Sequence, residues 1–133
     1  MNYLIDSDRV AEYLKGIPRI VALMAPLLAS GAGISIITYA EVYEGLYYGR
    51  DPQRQERAFT DLLQALTVIG LDAAVARRFA MVRGDLRRQG QLIPDADIWI
   101  GVTAVEYRLM LVTGNRRHFE RIPGLKISSK ANP

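Results

Sequence analysis

Four short apolar runs, at residues 3–5, 34–37, 67–69 and 110–113, are separated by stretches long enough for one or two helices and bounded by helix-start and helix-stop signals. The runs lack polar alternation, which suits strands buried on both faces, and the helical lengths between them are what parallel crossovers require. The pattern predicts an α/β fold: a central parallel sheet of four to five strands flanked by helices, the fifth being a weaker run at residues 126–128.

Residues 7–14 read as a first short helix, and residues 18–28 as a second that bends at or tolerates Pro26 before Gly31 and Gly33 close it. Thr38-x-x-Glu41 matches a capping box opening a helix through Tyr48, and Asp51-Pro52 an N-cap and N1 proline opening the next through Leu66. Asp72 caps residues 73–89, which stop at Gly90. A further helix opens near Asp95, with one of Asp95 and Asp97 as its cap, and runs to about Arg108. Asn115 caps a short turn before Pro123-Gly124, and residues 131–133 read as a loose tail.

A chain of 133 residues has room for one domain, spanning 1–133. With 50% hydrophobic and 23% charged residues it is globular rather than disordered. The absence of cysteine excludes disulfide stapling and thiolate metal sites and fits a reducing compartment. Met-Asn-Tyr-Leu-Ile-Asp shows no basic-then-apolar leader, and the apolar stretch at residues 20–37 is broken by Pro26, Ser30, Gly31 and Gly33. The expectation is a soluble cytoplasmic protein without a membrane partner. Lys and Arg total 17 against 14 acids, a net charge of +3. With several acids reserved for a site, the remaining surface is more basic than that figure and suits nucleic acid.

The acids stand at the ends of the apolar runs: Asp6 after Tyr3-Leu4-Ile5, Glu41 after residues 34–38, and Asp95 and Asp97 at a helix start. In an open α/β sheet the carboxyl ends of the strands and the following helix N-termini share one edge. Carboxylates gathered there raise one another's pKa unless a cation joins them, and the matching cation is hard and oxygen-loving, Mg²⁺ or Mn²⁺. Each acid also has an ordinary role open to it: Asp6 as N-cap, Asp8 as a first-turn acid, Glu41 at N3 of the capping box. His118 is the single histidine and cannot make the usual zinc site alone. Tyr39, Tyr43 and Tyr47 form a helical stripe suited to packing, and Arg77, Arg78, Arg83, Arg87 and Arg88 a solvated face. Arg116 and Arg117 follow Thr113, so they rim the same edge and can hold phosphates.

Three stretches, Tyr3-Leu4-Ile5-Asp6-Ser7-Asp8, Ile36-Ile37-Thr38-Tyr39-Ala40-Glu41-Val42-Tyr43-Glu44-Gly45-Leu46, and Ile93-Pro94-Asp95-Ala96-Asp97-Ile98-Trp99-Ile100-Gly101 with Leu111-Val112-Thr113-Gly114-Asn115-Arg116-Arg117-His118-Phe119, together resemble the PIN-domain ribonucleases. Within them the chain is similar to the VapC-type toxins of toxin–antitoxin pairs, over essentially its whole length. The resemblance implies a PIN-like three-layer fold and a metal-dependent endoribonuclease with Asp6, Glu41 and Asp97 as ligands of Mg²⁺ or Mn²⁺. His118 departs from it, since many members place a fourth acid there; Asn115, Asp95 or Asp8 are the candidates for the missing oxygen. Thr113, Asn115, Arg116 and Arg117 are the candidates for substrate binding. The implied partners are an RNA substrate, commonly transfer RNA, a cognate VapB-type antitoxin whose tail fills the cleft, and a second copy in a homodimer.

Two other classes compete. A PIN-like fold kept only for RNA binding would explain the departure at His118. Asp6-Ser7-Asp8 also resembles the nucleophile motif of haloacid-dehalogenase-type phosphatases, but Thr113 comes after Asp95 and Asp97, the reverse of the order that mechanism needs.

Overall fold

The computed structural model describes residues 1–128, with four strands, β1 (Tyr3–Ile5), β2 (Ala32–Ser35), β3 (Leu66–Ile69) and β4 (Met110–Val112). They lie in the order β3-β2-β1-β4, and every pairing is parallel, with Tyr3 opposite both Ala32 and Met110. The fifth run does not become a strand. It makes one parallel bridge, Leu111 to Ile127, held by the Leu111 N–H to the Lys126 carbonyl at 2.8 Å and the Ser128 N–H to the Leu111 carbonyl at 2.9 Å. The tail at residues 131–133 lies outside the described residues.

The helices are α1 (Ser7–Leu14), α2 (Pro18–Ser30), α3 (Ile36–Tyr47), α4 (Pro52–Leu63), α5 (Ala73–Arg88), α6 (Asp95–Glu106) and α7 (Arg116–Phe119). Asp51 and Asp72 cap as expected, accepting from the Arg54 N–H at 3.3 Å and the Val75 N–H at 2.9 Å. α2 carries Pro26 inside it and ends at Gly31, whose φ of 93° an L side chain rarely adopts. α4 stops at Leu63 rather than Leu66, because Leu66 pairs with Ala32 in the sheet.

Strand alternation divides the core in two. Leu4 and Leu111 point to one face and pack with Val75, Leu86, Ile98 and Phe119 from α5, α6 and α7. Ile5, Ile34 and Val112 point to the other, against Val10, Met24, Val42 and Phe59 from α1 to α4. The result is three layers, helix–sheet–helix. Each fully buried Leu, Ile or Phe stabilises by about 1.5–3 kcal/mol relative to exposure. Tyr39 and Tyr43 do pack, with rings 4.9 Å apart and both within 6 Å of Phe59 (5.7 and 5.5 Å), whereas Tyr47 leaves the stripe and is 81% exposed. Among the described residues no single helix is long and apolar enough to cross a membrane.

The chain builds outward from β1 through β2 to β3 and then returns to place β4 on the other side of β1. The order therefore reverses between β1 and β4, and the crevice at their carboxyl ends is where such sheets bind ligands.

Candidate active site

Asp6 follows β1 directly at this reversal. Its N–H continues the sheet to the Val112 carbonyl (2.9 Å), and its side chain is the N-cap of α1, accepting from the Ser7 N–H at 2.8 Å. Across the crevice the Thr113 hydroxyl donates to the second carboxylate oxygen at 2.7 Å. Asp6 is thus both a cap and a crevice acid. It is only 5% exposed. Burial, then the neighbouring charge of Asp8 and more weakly that of Asp97, push its pKa up to about 7, against the hydrogen bonds from Thr113 and Ser7.

Glu41 reaches the site differently from the capping-box expectation. Ser35 is the N-cap of α3, accepting from the Ile37 N–H at 3.0 Å, and Thr38 is buried in the first turn, so Glu41 lies in the second turn. The apolar run at residues 34–37 misleads because it straddles the end of β2 and the start of α3, both buried. The Ser7 hydroxyl donates to Glu41 Oε1 at 2.7 Å and lies 2.9 Å from Thr38 Oγ1, tying α1 to α3.

Neither Asp95 nor Asp97 caps α6. Pro94 holds that position, and both acids lie in the first turn, where the helix dipole favours them. Their side chains then part company. Asp95 pairs with Arg83 at 2.8 Å, outside the cluster, while Asp97 Oδ2 lies 2.7 Å from His118 Nδ1. The Asn115 side-chain amide lies 2.9 Å from the same nitrogen.

The loop after β4 closes the site. Thr113 is fully buried and accepts from the Asn115 N–H at 2.9 Å while donating to Asp6, so it orients the acid rather than offering a surface to substrate. The Gly114 N–H donates to Asp8 Oδ2 at 2.9 Å. A Cβ at Gly114 would sit 2.9 Å from that oxygen and 3.1 Å from Arg9 Nη1, so a larger residue would push these two side-chain ends aside. Arg116 leans toward Glu120 (3.6 Å), and Arg117 is exposed at the rim.

The donor chemistry suits a hard divalent cation: carboxylates of Asp6, Asp8, Glu41 and Asp97 with the Asn115 amide, around an acid whose pKa is raised first by burial and then by the charges of Asp8 and Asp97. Among the described residues, however, no three acid or histidine side chains already converge as a ready ligand set. Glu41 is held by Ser7, Asp8 by Gly114 and Asp97 by His118, each through one oxygen, so a full set forms only when the separated carboxylates close on a cation. Ser7 and Gly114 are site residues that the sequence did not single out. The signal was there only in hindsight: a hydroxyl beside the strand-end acid, and a glycine directly after the fourth run.

The family model of the PIN domain matches residues 3–125. A ribonuclease VapC2 of Haemophilus influenzae is 31% identical over 126 residues, covering 95% of this chain and 96% of that protein. A tRNA(fMet)-specific endonuclease VapC of Salmonella typhimurium is 28% identical, covering 96% of each chain. Among solved structures, a DNA-bound VapBC from Salmonella typhimurium superposes with a TM-score of 0.88 at 29% identity, covering 96% of this chain and 97% of that one. The three-layer architecture, the acids at the β1–β4 crevice and these matches along nearly the full length place the chain in the PIN-domain family, with its VapC-type members.

Proposed function

We propose that this protein is the endoribonuclease toxin of a VapBC-type toxin–antitoxin pair, hydrolysing cellular RNA with Mg²⁺ or Mn²⁺ held by Asp6, Glu41 and Asp97. The observation that carries the reading is Asp6: a carboxylate buried at the topological reversal, beside Asp8 and Asp97, in a chain related to VapC ribonucleases. Burying an acid among acids is costly unless the site has a use for concentrated negative charge. A divalent ion there would supply the positive charge that polarises a phosphodiester and makes water acidic enough to attack it. The protein's own part is to fix the acids: Thr113 and the Ser7 N–H set Asp6, the Ser7 hydroxyl holds Glu41, and His118 contacts Asp97. Arg116 and Arg117 at the rim are placed to steady RNA phosphates. The products are then a 5′-phosphate and a 3′-hydroxyl, and no histidine base is needed.

Transfer RNA is the substrate class favoured by the relative from Salmonella typhimurium. An apolar cleft of about 580 Å³ between α1, α3 and α4, lined by Ala11, Leu14, Val42 and Leu46, opens beside Ser7, Asp8 and Glu41. It suits the tail of a VapB-type antitoxin, as the VapBC neighbours suggest. Action on cellular RNA would require a cytoplasmic protein, and a homodimer is the assembly we expect. The test is induction of the gene with and without an adjacent antitoxin gene: growth should stop only without it, tRNA fragments should accumulate, and Asp97→Asn should permit growth. Arrest of growth by Asp97→Asn at equal protein level would argue against the reading.

A further inference from the structure

His118 touches Asp97 in the site, yet the hydrolysis proposed above needs no histidine base. It lies on α7, a single turn anchored by the fully buried Phe119. α7 docks on α6 at Gly101, where a Cβ would fall 2.3 Å from Ile122 Cδ1 and 3.4 Å from Phe119 Cδ1. This close packing fixes the distance between the imidazole and Asp97, one turn before Gly101 on α6. The contact is short, 2.7 Å from Nδ1 to Asp97 Oδ2, and the Asp97 side chain is 19% exposed.

An ionised carboxylate only accepts hydrogen bonds, so the proton in this contact belongs to His118 Nδ1. The Asn115 side-chain nitrogen lies 2.9 Å from the same Nδ1, and a ring protonated there requires the amide to be turned over so that its oxygen accepts, a choice between amide nitrogen and oxygen that the hydrogen-bond network sets. Asn115 is in turn held by its own N–H to Thr113, which also holds Asp6. Asp6 and Asp97 are thereby linked through one chain of hydrogen bonds.

We propose that His118 is a positioning residue: as the Nδ1–H tautomer it clamps Asp97 Oδ2 and leaves Oδ1 as the oxygen available to a cation. A carboxylate clamped by one oxygen ligates through the other in one orientation, and loss of such supporting partners lowers metal affinity by about 10–100-fold. The proposal rests on the reading of Asp97 as a cation ligand.

The chain has a single histidine, so isotope labelling of histidine nitrogen reports one ring. In the metal-free protein above neutral pH, long-range proton–nitrogen correlation should show Nδ1 carrying the proton and Nε2 bare, the reverse of the tautomer preferred by a free imidazole. Addition of Mg²⁺ should leave that proton in place. Mn²⁺ binding by calorimetry then ranks three variants. His118→Asn puts a donor where Nδ1 was and should keep near wild-type affinity. His118→Gln reaches only the place of Nε2, and with His118→Ala it should lose about 10–100-fold. The Nε2–H tautomer in a protein that binds Mn²⁺, loss of the Nδ1 proton on adding Mg²⁺, or rescue by Gln instead of Asn each overturns the clamp. An Nδ1–H ring in a wild-type protein that takes up no Mn²⁺ overturns the cation-site reading, and the clamp's role with it.

Discussion

Replacing Asp6 by asparagine should abolish activity and, without metal, make the protein more stable. The sign follows from the raised pKa. Between pH 3.8 and about 7 the unfolded chain has released the Asp6 proton while the folded protein keeps it, so folded stability falls as pH rises through that window. Below it the acid is protonated in both states and there is no penalty; above about 7 the penalty is complete. A displacement from 3.8 to about 7 at 1.36 kcal/mol per unit is about 4 kcal/mol, an upper bound for a side chain only 5% exposed. Asparagine keeps the bond from the Ser7 N–H through its oxygen and can donate to Thr113 Oγ1, leaving the Thr113 proton without its acceptor at a cost of about 1–2 kcal/mol. A net gain of about 1–3 kcal/mol at pH 8 is therefore expected. Urea denaturation followed by circular dichroism, in EDTA and at several pH values, measures the difference between variant and wild type. That difference should shrink from pH 8 to pH 5, and Mg²⁺ should stabilise the wild type alone. An asparagine variant no more stable than wild type at pH 8, or a pH-independent difference, would refute the argument that Asp6 carries buried, unrelieved charge.

Glu41→Gln should lose RNA cleavage with an unchanged melting curve, because Ser35 rather than Glu41 caps α3; a fall in melting temperature would return Glu41 to a structural role. Gly114→Ala should cost about 1 kcal/mol by pushing Asp8 Oδ2 off the Gly114 N–H, and thermal melting reads this directly. Ser7→Ala removes the hydroxyl bridge from α1 to Glu41 and Thr38; it should cost about 1 kcal/mol and slow cleavage without abolishing it.

Much of the fold was legible because its signals are local. The apolar runs gave the four strands to within two residues, and Asp51-Pro52 and Asp72 marked helix starts that depend only on the backbone next to them. Boundaries failed where burial is continuous: Ile36 and Ile37 are as apolar in a helix as in a strand, so the start of α3 was displaced toward Thr38. The site divided in the same way. Asp6 was visible as a strand-end acid, but Asp95 and Asp97 look alike in sequence, and only the position of Arg83 on α5 draws one away while α7 brings His118 to the other. Thr113 was expected at the substrate surface, yet its hydroxyl turns inward because Asp6 lies across the crevice, a long-range fact that no local pattern carries. His118 was visible as a departure from the family pattern, but its partner was not.

On the reading proposed here the acids at the β1–β4 crevice make a cation-dependent ribonuclease. This is tested most directly by incubating purified protein with tRNA in Mg²⁺, in Mn²⁺ and in EDTA, and determining the ends of the fragments. Cleavage is expected with either cation and not in EDTA, with fragments ending in 5′-phosphate and 3′-hydroxyl. Full cleavage in EDTA, or fragments ending in a 2′,3′-cyclic phosphate, would contradict it.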